Sequence, residues 1–346
     1  MKKYISNVIS PKVSIAPMVD VTDRHFRYFL RILTKRPLLY TEMISCQGII
    51  NGNKNKLLDF NKVEKPLSLQ IAGSTPEEIY EAVKIADNWD YDELNLNAGC
   101  PSDRVSGNFM GATLMAYPKL VKEMVDAMRS ATKKPITIKH RIGIDGKNIL
   151  PPSFHRTLLD SYQDMYDFIS IVENSEIDRF IIHARIAILD GLSPKKNREI
   201  PPLRYEDVYR LKKEFPYLNM EINGGIKTLE EINHHLKFVN SVMIGRAAYN
   251  NSFMLREIDS LYNKDYINNI SRKDVIEEFI PYIENLESLG ENSFYAIKHI
   301  IGLFEGKPGS KRWKQILGTP ASKNIKASAL LKIALRELPK EVLYNL

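Results

Sequence analysis

The sequence predicts an α/β protein, a (β/α)8 (TIM) barrel followed by a small C-terminal helical domain. Three observations lead there. From Val13 to about Ile244, eight short apolar runs alternate with longer amphipathic stretches, the pattern of strands alternating with helices. Eight such pairs in roughly 240 residues fit a closed barrel better than an open doubly wound sheet, for which an early GxGxxG turn is missing. Beyond Asn250 the strand pattern stops and helical periodicity takes over, so residues 1–250 are expected to form the barrel and 251–346 the helical domain.

Taken in order, the strands are expected at Val13 to Pro17, Leu38 to Met43, Leu67 to Ala72, Glu93 to Asn97, Pro135 to His140, Arg179 to Ala184, Asn219 to Gly224 and Ser241 to Gly245. Helix signals lie between them. After the third strand, Thr75 can cap, Pro76 suits the first helical position and glutamates favour the first turn; TLEEINHHL follows the seventh strand in the same way. The stretch after the fifth strand, with Pro151 and Pro152, is too long for an ordinary barrel connection and reads as an elaborated loop or lid. In the C-terminal part, EIDSLY, DVIEEFIPYIENLESL, SFYAIKHIIGLF and ASALLKIALRELPKEVLYNL read as amphipathic helices.

Composition narrows the function classes. With 44% hydrophobic and 26% charged residues among 346, the chain is neither disordered nor fibrous. It has no apolar run of eighteen residues, and MKKYISNVIS is too polar a start for a signal peptide, so a soluble cytoplasmic protein without a membrane partner is expected. Two cysteines, Cys46 and Cys100, cannot build a disulfide framework or a four-cysteine metal site, and no metal is expected. The net charge of +7 suits a polyanionic partner, bound more weakly as salt rises.

The carboxyl ends of barrel strands hold the chemistry, and here they are unusually polar. They carry Pro17 and Met18, Glu42, Gln70, Asn95 and Asn97, Lys139 and Arg141, His183 and Arg185, Asn223, and Gly245 with Arg246. Buried polar groups need partners, so a ligand rich in acceptors is implied. Asn223, Gly224 and Gly225 follow the seventh strand and Gly245 and Arg246 the eighth, where barrels commonly bind phosphate through backbone amides, with an arginine fork added here. Lys139 could be a Schiff-base amine or a cation against an electron-rich ligand, and on spacing alone it reads equally well as a surface lysine with a snorkelling stem. His183 could act as an acid, a ligand or a structural histidine, and the adjacent His234 and His235 read as surface residues. Cys100, in the glycine-rich loop after the fourth strand, is a candidate acid or nucleophile.

Together these segments resemble the tRNA-dihydrouridine synthases. APMVDVTDRHFRYFLR, LLYTEMI, LQIAGS, LNLNAGCPSDRV, FIIHAR and NGGIKTLEE stand in family order, and the resemblance runs from about Val13 to Gly318. The opening PMVDVTDRHFRYF, GLSPKKNREIPPL and GLFEGKPGSKRWKQ look like the A-type subfamily, which modifies D-loop uridines at positions 20 and 20a. The resemblance implies bound FMN, NADPH as electron donor, tRNA as partner and a monomeric enzyme whose helical domain binds tRNA. It places FMN against Pro17, Met18, Val19, Gln70, Lys139 and His183, with its phosphate on Asn223, Gly224, Gly225, Gly245 and Arg246. It makes Cys100 the proton donor to C5 of the uracil, opposite the hydride delivered by reduced FMN to C6, with Asn97 on the substrate nucleotide. Lys195, Arg198, Lys311 and Lys314 match positions that grip tRNA phosphates. Set beside it, the Schiff-base reading of Lys139 recedes.

Departures from the family pattern are confined. GNFMGA at Gly107 to Ala112 has its glycine displaced by one place, His140 replaces a common threonine, and Lys311 and Lys314 stand where arginines are usual, which turns forked phosphate contacts into point charges. Two rival readings are an FMN barrel enzyme acting on a small molecule, such as a dihydroorotate dehydrogenase, and a tRNA-binding protein with a decayed active site. The basic helical domain speaks against the first, and the intact Cys100, Lys139 and His183 against the second.

Overall fold

The computed structural model describes residues 4–102, 110–263, 265–318 and 325–344. Eight parallel strands close into a barrel in chain order: β1 (Val13–Ile15), β2 (Leu38–Ser45), β3 (Leu67–Ala72), β4 (Glu93–Ala98), β5 (Ile136–Arg141), β6 (Arg179–His183), β7 (Met220–Asn223) and β8 (Ser241–Ile244). Each lies where the apolar runs place it, with ends shifted by at most two residues. Closure comes from β1, which pairs with Leu38 of β2 through Ser14 and with Val242 of β8 through Val13.

Period-two alternation sorts the side chains. On β3, Leu67, Leu69 and Ile71 pack outward under the helices, leaving Ser68 and Gln70 inside. The interior combines a small apolar cluster of Ala16, Leu38, Tyr40, Ile181 and Met243 with a fully buried polar floor centred on Arg179, Glu93 and Glu221. The capping signals act as read. Thr75 accepts from Glu78 N ahead of Pro76–Ala86, and Thr228 with Glu231 forms a capping box on Leu229–His235.

C-terminal to the barrel, a 3-10 stretch Ser252–Leu261 leads to the helix Arg272–Ser288. The short helix Phe294–Ile297 continues as a 3-10 stretch through Phe304, and the helices Ser310–Leu317, Ala327–Glu337 and Lys340–Leu343 follow. This region docks on the first barrel helix, Arg24–Leu33. Asp23, its N-cap, accepts from His299 Nε2 at 2.9 Å; His25 Nδ1 meets the Tyr282 hydroxyl at 2.7 Å; and Tyr28 stacks on Tyr282 with ring centroids 4.0 Å apart.

Three features differ from the sequence reading. The long segment after β5 is an elaborated loop that contributes strands: Ile144–Asp145 pairs antiparallel with Leu158–Leu159 and parallel with Ala187–Ile188. Two-residue strands carry no readable alternation. The SKRWKQIL segment, not among the expected helices, forms a helix that buries Trp313, Ile316 and Leu317, a spacing of three and four confined to the end of a short basic run. His235 is not a surface residue: it is buried, and its Nδ1 meets the Tyr209 hydroxyl at 2.6 Å, because the last turn of its helix rests on the neighbouring helix Tyr205–Glu214. Gly107, on which the departure from the family loop pattern rests, lies outside the described residues.

Burial of neutral histidines makes the fold acid-sensitive. Burial lowers both His25 and His140 from the usual imidazole range to about 4, so each is uncharged in the folded chain at neutral pH. Because the folded pKa lies below the unfolded one, the contribution is complete above about pH 6.5 and is lost as pH falls toward 4. Urea titrations across that window are expected to show a loss of about 2 kcal/mol or more. His140→Leu, which also removes a buried Nε2 lacking a hydrogen-bond partner among the described residues, is expected to flatten part of it; an unchanged pH profile in that variant would exclude His140 as a source.

Candidate active site at the mouth of the barrel

The inward positions two residues beyond the floor build the site. A chain of amides crosses β3, β4 and β5: Gln70 Nε2 donates to Asn95 Oδ1 at 2.7 Å, Asn95 Nδ2 to Thr137 Oγ1 at 2.8 Å, and Asn97 Nδ2 to Gln70 Oε1 at 2.8 Å. Asn97 turns the chain after β4, where its Oδ1 accepts from Gly99 N at 3.1 Å and Cys100 N at 3.0 Å. Cys100, partly buried, is thus tied by its backbone to the amide layer, and its carbonyl accepts from Ala112 N at 2.9 Å.

Across the mouth, Lys139 Nζ donates to Asn223 Oδ1 at 3.1 Å, while Asn223 Nδ2 reaches Met243 O at 2.9 Å. Burial, reinforced by Arg141, pushes the Lys139 ammonium down to about 8. His183 is driven well below the ordinary imidazole range, first by burial and then by the cations of Arg141, Lys139, Arg185 and Arg198. The site is therefore short of negative charge. An anionic ligand would relieve the crowding of cations that these shifts record.

Of the three glycines expected around a phosphate, Gly224 and Gly225 are required by shape. Gly224 has φ +119° and Gly225 φ +73°, and a Cβ at Gly224 would lie 2.6 Å from His183 Cδ2, one at Gly225 2.6 Å from Leu203 Cδ1. At Gly245 a Cβ would make only ordinary contact, 3.5 Å from Ala16 Cβ and 3.8 Å from Met18 Sδ, and these distances bring Met18 and Gly245 together at the seam of β1 and β8. Arg246 opens the following helix; its Nη1 pairs with Glu199 Oε1 at 2.7 Å and its Nη2 donates to Arg198 O at 3.1 Å. The donor set and the glycine cradle fit a phosphorylated, electron-rich cofactor such as FMN. Pro17 is partly buried at the same rim, and Val19 beyond it is 57% exposed.

Gly224→Ala combines left-handed backbone with a collision against the His183 ring. It is expected to weaken flavin binding by at least about tenfold, measured by quenching of flavin fluorescence. Affinity within twofold of the unsubstituted protein would remove the cradle argument.

The predicted RNA-contacting cations divide into two places. Lys195 precedes and Arg198 ends a 3-10 turn, Lys196–Arg198, beside Arg246. Lys311 and Lys314 lie exposed on the helix Ser310–Leu317, where Lys314 pairs with Glu305 at 2.7 Å. Such an exposed pair is weak enough for a phosphate to replace it.

Two residues with large roles in the site drew no assignment from the sequence. Arg141, buried at the end of β5, donates through Nε to Gly99 O at 3.0 Å and through Nη1 to Ile186 O at 2.8 Å and Asn197 O at 3.0 Å, binding the Cys100 turn to the loop that carries Arg198. Its position among the polar strand ends was the available signal. Asn197, fully buried, holds Ile188 N and O, each at 2.8 Å. It sits within a run of charges, and nothing in that run marks it.

Comparison with known proteins accords with this geometry. The family model described as dihydrouridine synthase matches residues 14–339. A protein of Synechocystis named tRNA-dihydrouridine(20/20a) synthase is 48% identical, over 97% of this chain and 96% of that relative. Proteins of the same name from Shewanella oneidensis and Pseudomonas aeruginosa are 45% and 44% identical, over 95% and 91% of this chain and 94% and 91% of theirs. Among solved structures, a 2-naphthoyl-CoA reductase complex superposes with a TM-score of 0.52 at 9% identity, covering 72% of this chain and 50% of that one, a likeness of fold alone. A family match over nearly the whole chain, joined to relatives close to half identical, leaves one conclusion: the chain belongs to the dihydrouridine synthase family.

Proposed function

We propose that this protein is a tRNA-dihydrouridine synthase that reduces the C5=C6 bond of D-loop uridines at positions 20 and 20a, with bound FMN and NADPH as electron donor. It would act as a cytoplasmic monomer, with residues 1–250 holding the flavin and 251–346 gripping tRNA. The observation that supports this reading most is the joining of two groups at one mouth. Arg141 and Asn97 fix the Cys100 turn beside the pocket of Lys139, His183, Asn223 and the left-handed glycines.

Lys139, His183, Gln70 and the Pro17–Val19 rim would hold the flavin ring, and Asn223, Gly224, Gly225, Gly245 and Arg246 its phosphate. When bound, reduced FMN supplies the hydride for C6 of the uracil. Lys139 keeps a positive charge where electron density accumulates on the reduced ring. Cys100 delivers the Sγ proton to C5 from the opposite face of an extruded base, and the thiolate regains a proton from solvent. Asn97, whose amide already orients Cys100 N, has a second Nδ2 hydrogen to offer the nucleotide. Lys195, Arg198, Lys311 and Lys314 bind phosphates and set which uridine reaches the pocket.

The test is to incubate unmodified tRNA with the purified protein, FMN and NADPH and to map dihydrouridine by reverse-transcription stops. Stops at 20 and 20a support the reading. Stops elsewhere in tRNA would reject the positions and keep the chemistry, whereas a flavin-loaded protein that oxidises NADPH without producing stops would overturn tRNA as substrate.

A further inference from the structure

The rim loop after β1 holds an unusual residue. Met18, Val19, Asp20 and Val21 form a four-residue turn, closed by Val21 N donating to Met18 O at 3.1 Å, and Asp20 at its third position has φ +63°. A positive φ there is the conformation of a type II turn, which favours glycine or asparagine. Aspartate tolerates it better than most side chains but less readily than glycine, so contacts that hold the turn offset a real cost.

The hold comes from β2. Asp20 N donates to Glu42 Oε1 at 2.6 Å, and the Thr22 hydroxyl braces the same turn by accepting from Met18 N at 3.0 Å. Glu42 reaches the turn because β2 is irregular just there: its register with β3 shifts between Tyr40 and Met43. Bulges beside functional sites re-aim side chains in this way. From the outside, Lys298 Nζ of the C-terminal region approaches Asp20 O at 3.4 Å and Asp23 Oδ2 at 3.5 Å. The peptide units flanking the left-handed residue are thus gripped on one side by the barrel and on the other by the helical region.

We infer that Glu42 is a positioning residue, which holds the Met18–Val21 turn in its left-handed form so that the Pro17–Val19 backbone is set to receive the flavin. This rests on the cofactor reading above for its consequence, though not for the contact itself. Glu42 touches neither the reacting atoms nor the substrate in this account; it acts through Asp20. A carboxylate at this strand end also accounts for the one acidic group among the polar strand ends, which the reduction itself does not use.

Two readouts test it, one without flavin. In the flavin-free protein, Glu42→Ala is expected to speed hydrogen exchange in a peptide covering Met18–Thr22, while Glu42→Gln, which retains an acceptor oxygen, leaves exchange near that of the unsubstituted protein. In FMN titrations followed by fluorescence quenching, Glu42→Ala is expected to raise the dissociation constant about tenfold. Adding Asp20→Gly to Glu42→Ala should restore most of that loss, since glycine takes the left-handed conformation without needing to be held. Rescue by a glycine distinguishes positioning from general damage to the fold, which it would not repair. Unchanged exchange and unchanged FMN affinity in Glu42→Ala, or no rescue by Asp20→Gly, would overturn the assignment. Failure of the unsubstituted protein to bind FMN, with the exchange pattern as expected, would overturn the cofactor reading and leave the clamp standing.

Discussion

Cys100→Ala is expected to lower the rate of uridine reduction by roughly 10²- to 10⁴-fold, the usual worth of a positioned proton donor, with flavin and tRNA affinities unchanged. The prediction is sharp because the backbone of this residue is fixed independently of its side chain. Its N–H is held by Asn97, its carbonyl by Ala112 N, and the preceding carbonyl by Arg141. Alanine therefore removes the thiol and little else. Single-turnover oxidation of the reduced enzyme by tRNA isolates the step, with flavin fluorescence and filter binding as the controls. A rate within a few-fold of the unsubstituted protein would remove Cys100 from the chemistry. A lost rate accompanied by lost tRNA affinity would point to a binding role.

Much of this site was legible because barrels confine chemistry to strand ends and because strands alternate with period two. Gln70, Asn97, Lys139, His183 and Asn223 are polar residues at inward positions of apolar strands, and the structure brings them to one mouth. Gly224 and Gly225 could be read as phosphate-loop residues, and their positive φ values give the physical reason. What escaped was carried by single long-range contacts. No local pattern shows that Arg141 spans from Gly99 to Asn197, that His235 turns inward to Tyr209, or that a bulge aims Glu42 at Asp20. The small sheet formed by Ile144–Asp145 is likewise fixed by partners far along the chain, against which two residues leave no periodic trace.

The largest loss of stability is expected from Arg179→Met, at about 3–5 kcal/mol, the range found when one member of a buried ionic group is removed. Arg179 is 1% exposed and joins Glu93 of β4 to Glu221 of β7 across the barrel, through Nη2 to Glu93 Oε2 at 2.5 Å and Nε to Glu221 Oε2 at 2.9 Å. Tyr40, Ser68 and Thr137 donate to Glu93, and Ser14 to Glu221, so seven of the eight barrel strands meet through this group. Burial already raises Glu221 above the usual carboxyl range, and the arginine is the main influence opposing it. Without the arginine the Glu221 carboxyl is pushed further above its unfolded value, so the variant is favoured at low pH and loses stability as pH rises through the folded-state value. Its deficit in denaturant titrations should accordingly widen from about pH 4.5 upward. Adding Glu93→Gln and Glu221→Gln to Arg179→Met removes the stranded charges and is expected to recover part of the loss. The consequence reaches function because the floor lies one inward step below the site, with Asn95 following Glu93, Lys139 following Thr137 and Asn223 following Glu221 on the same inward faces. Loosening the floor should therefore weaken flavin binding well below the melting temperature. A variant that melts early and still binds flavin normally when folded would show that the mouth is held by its own amide layer alone.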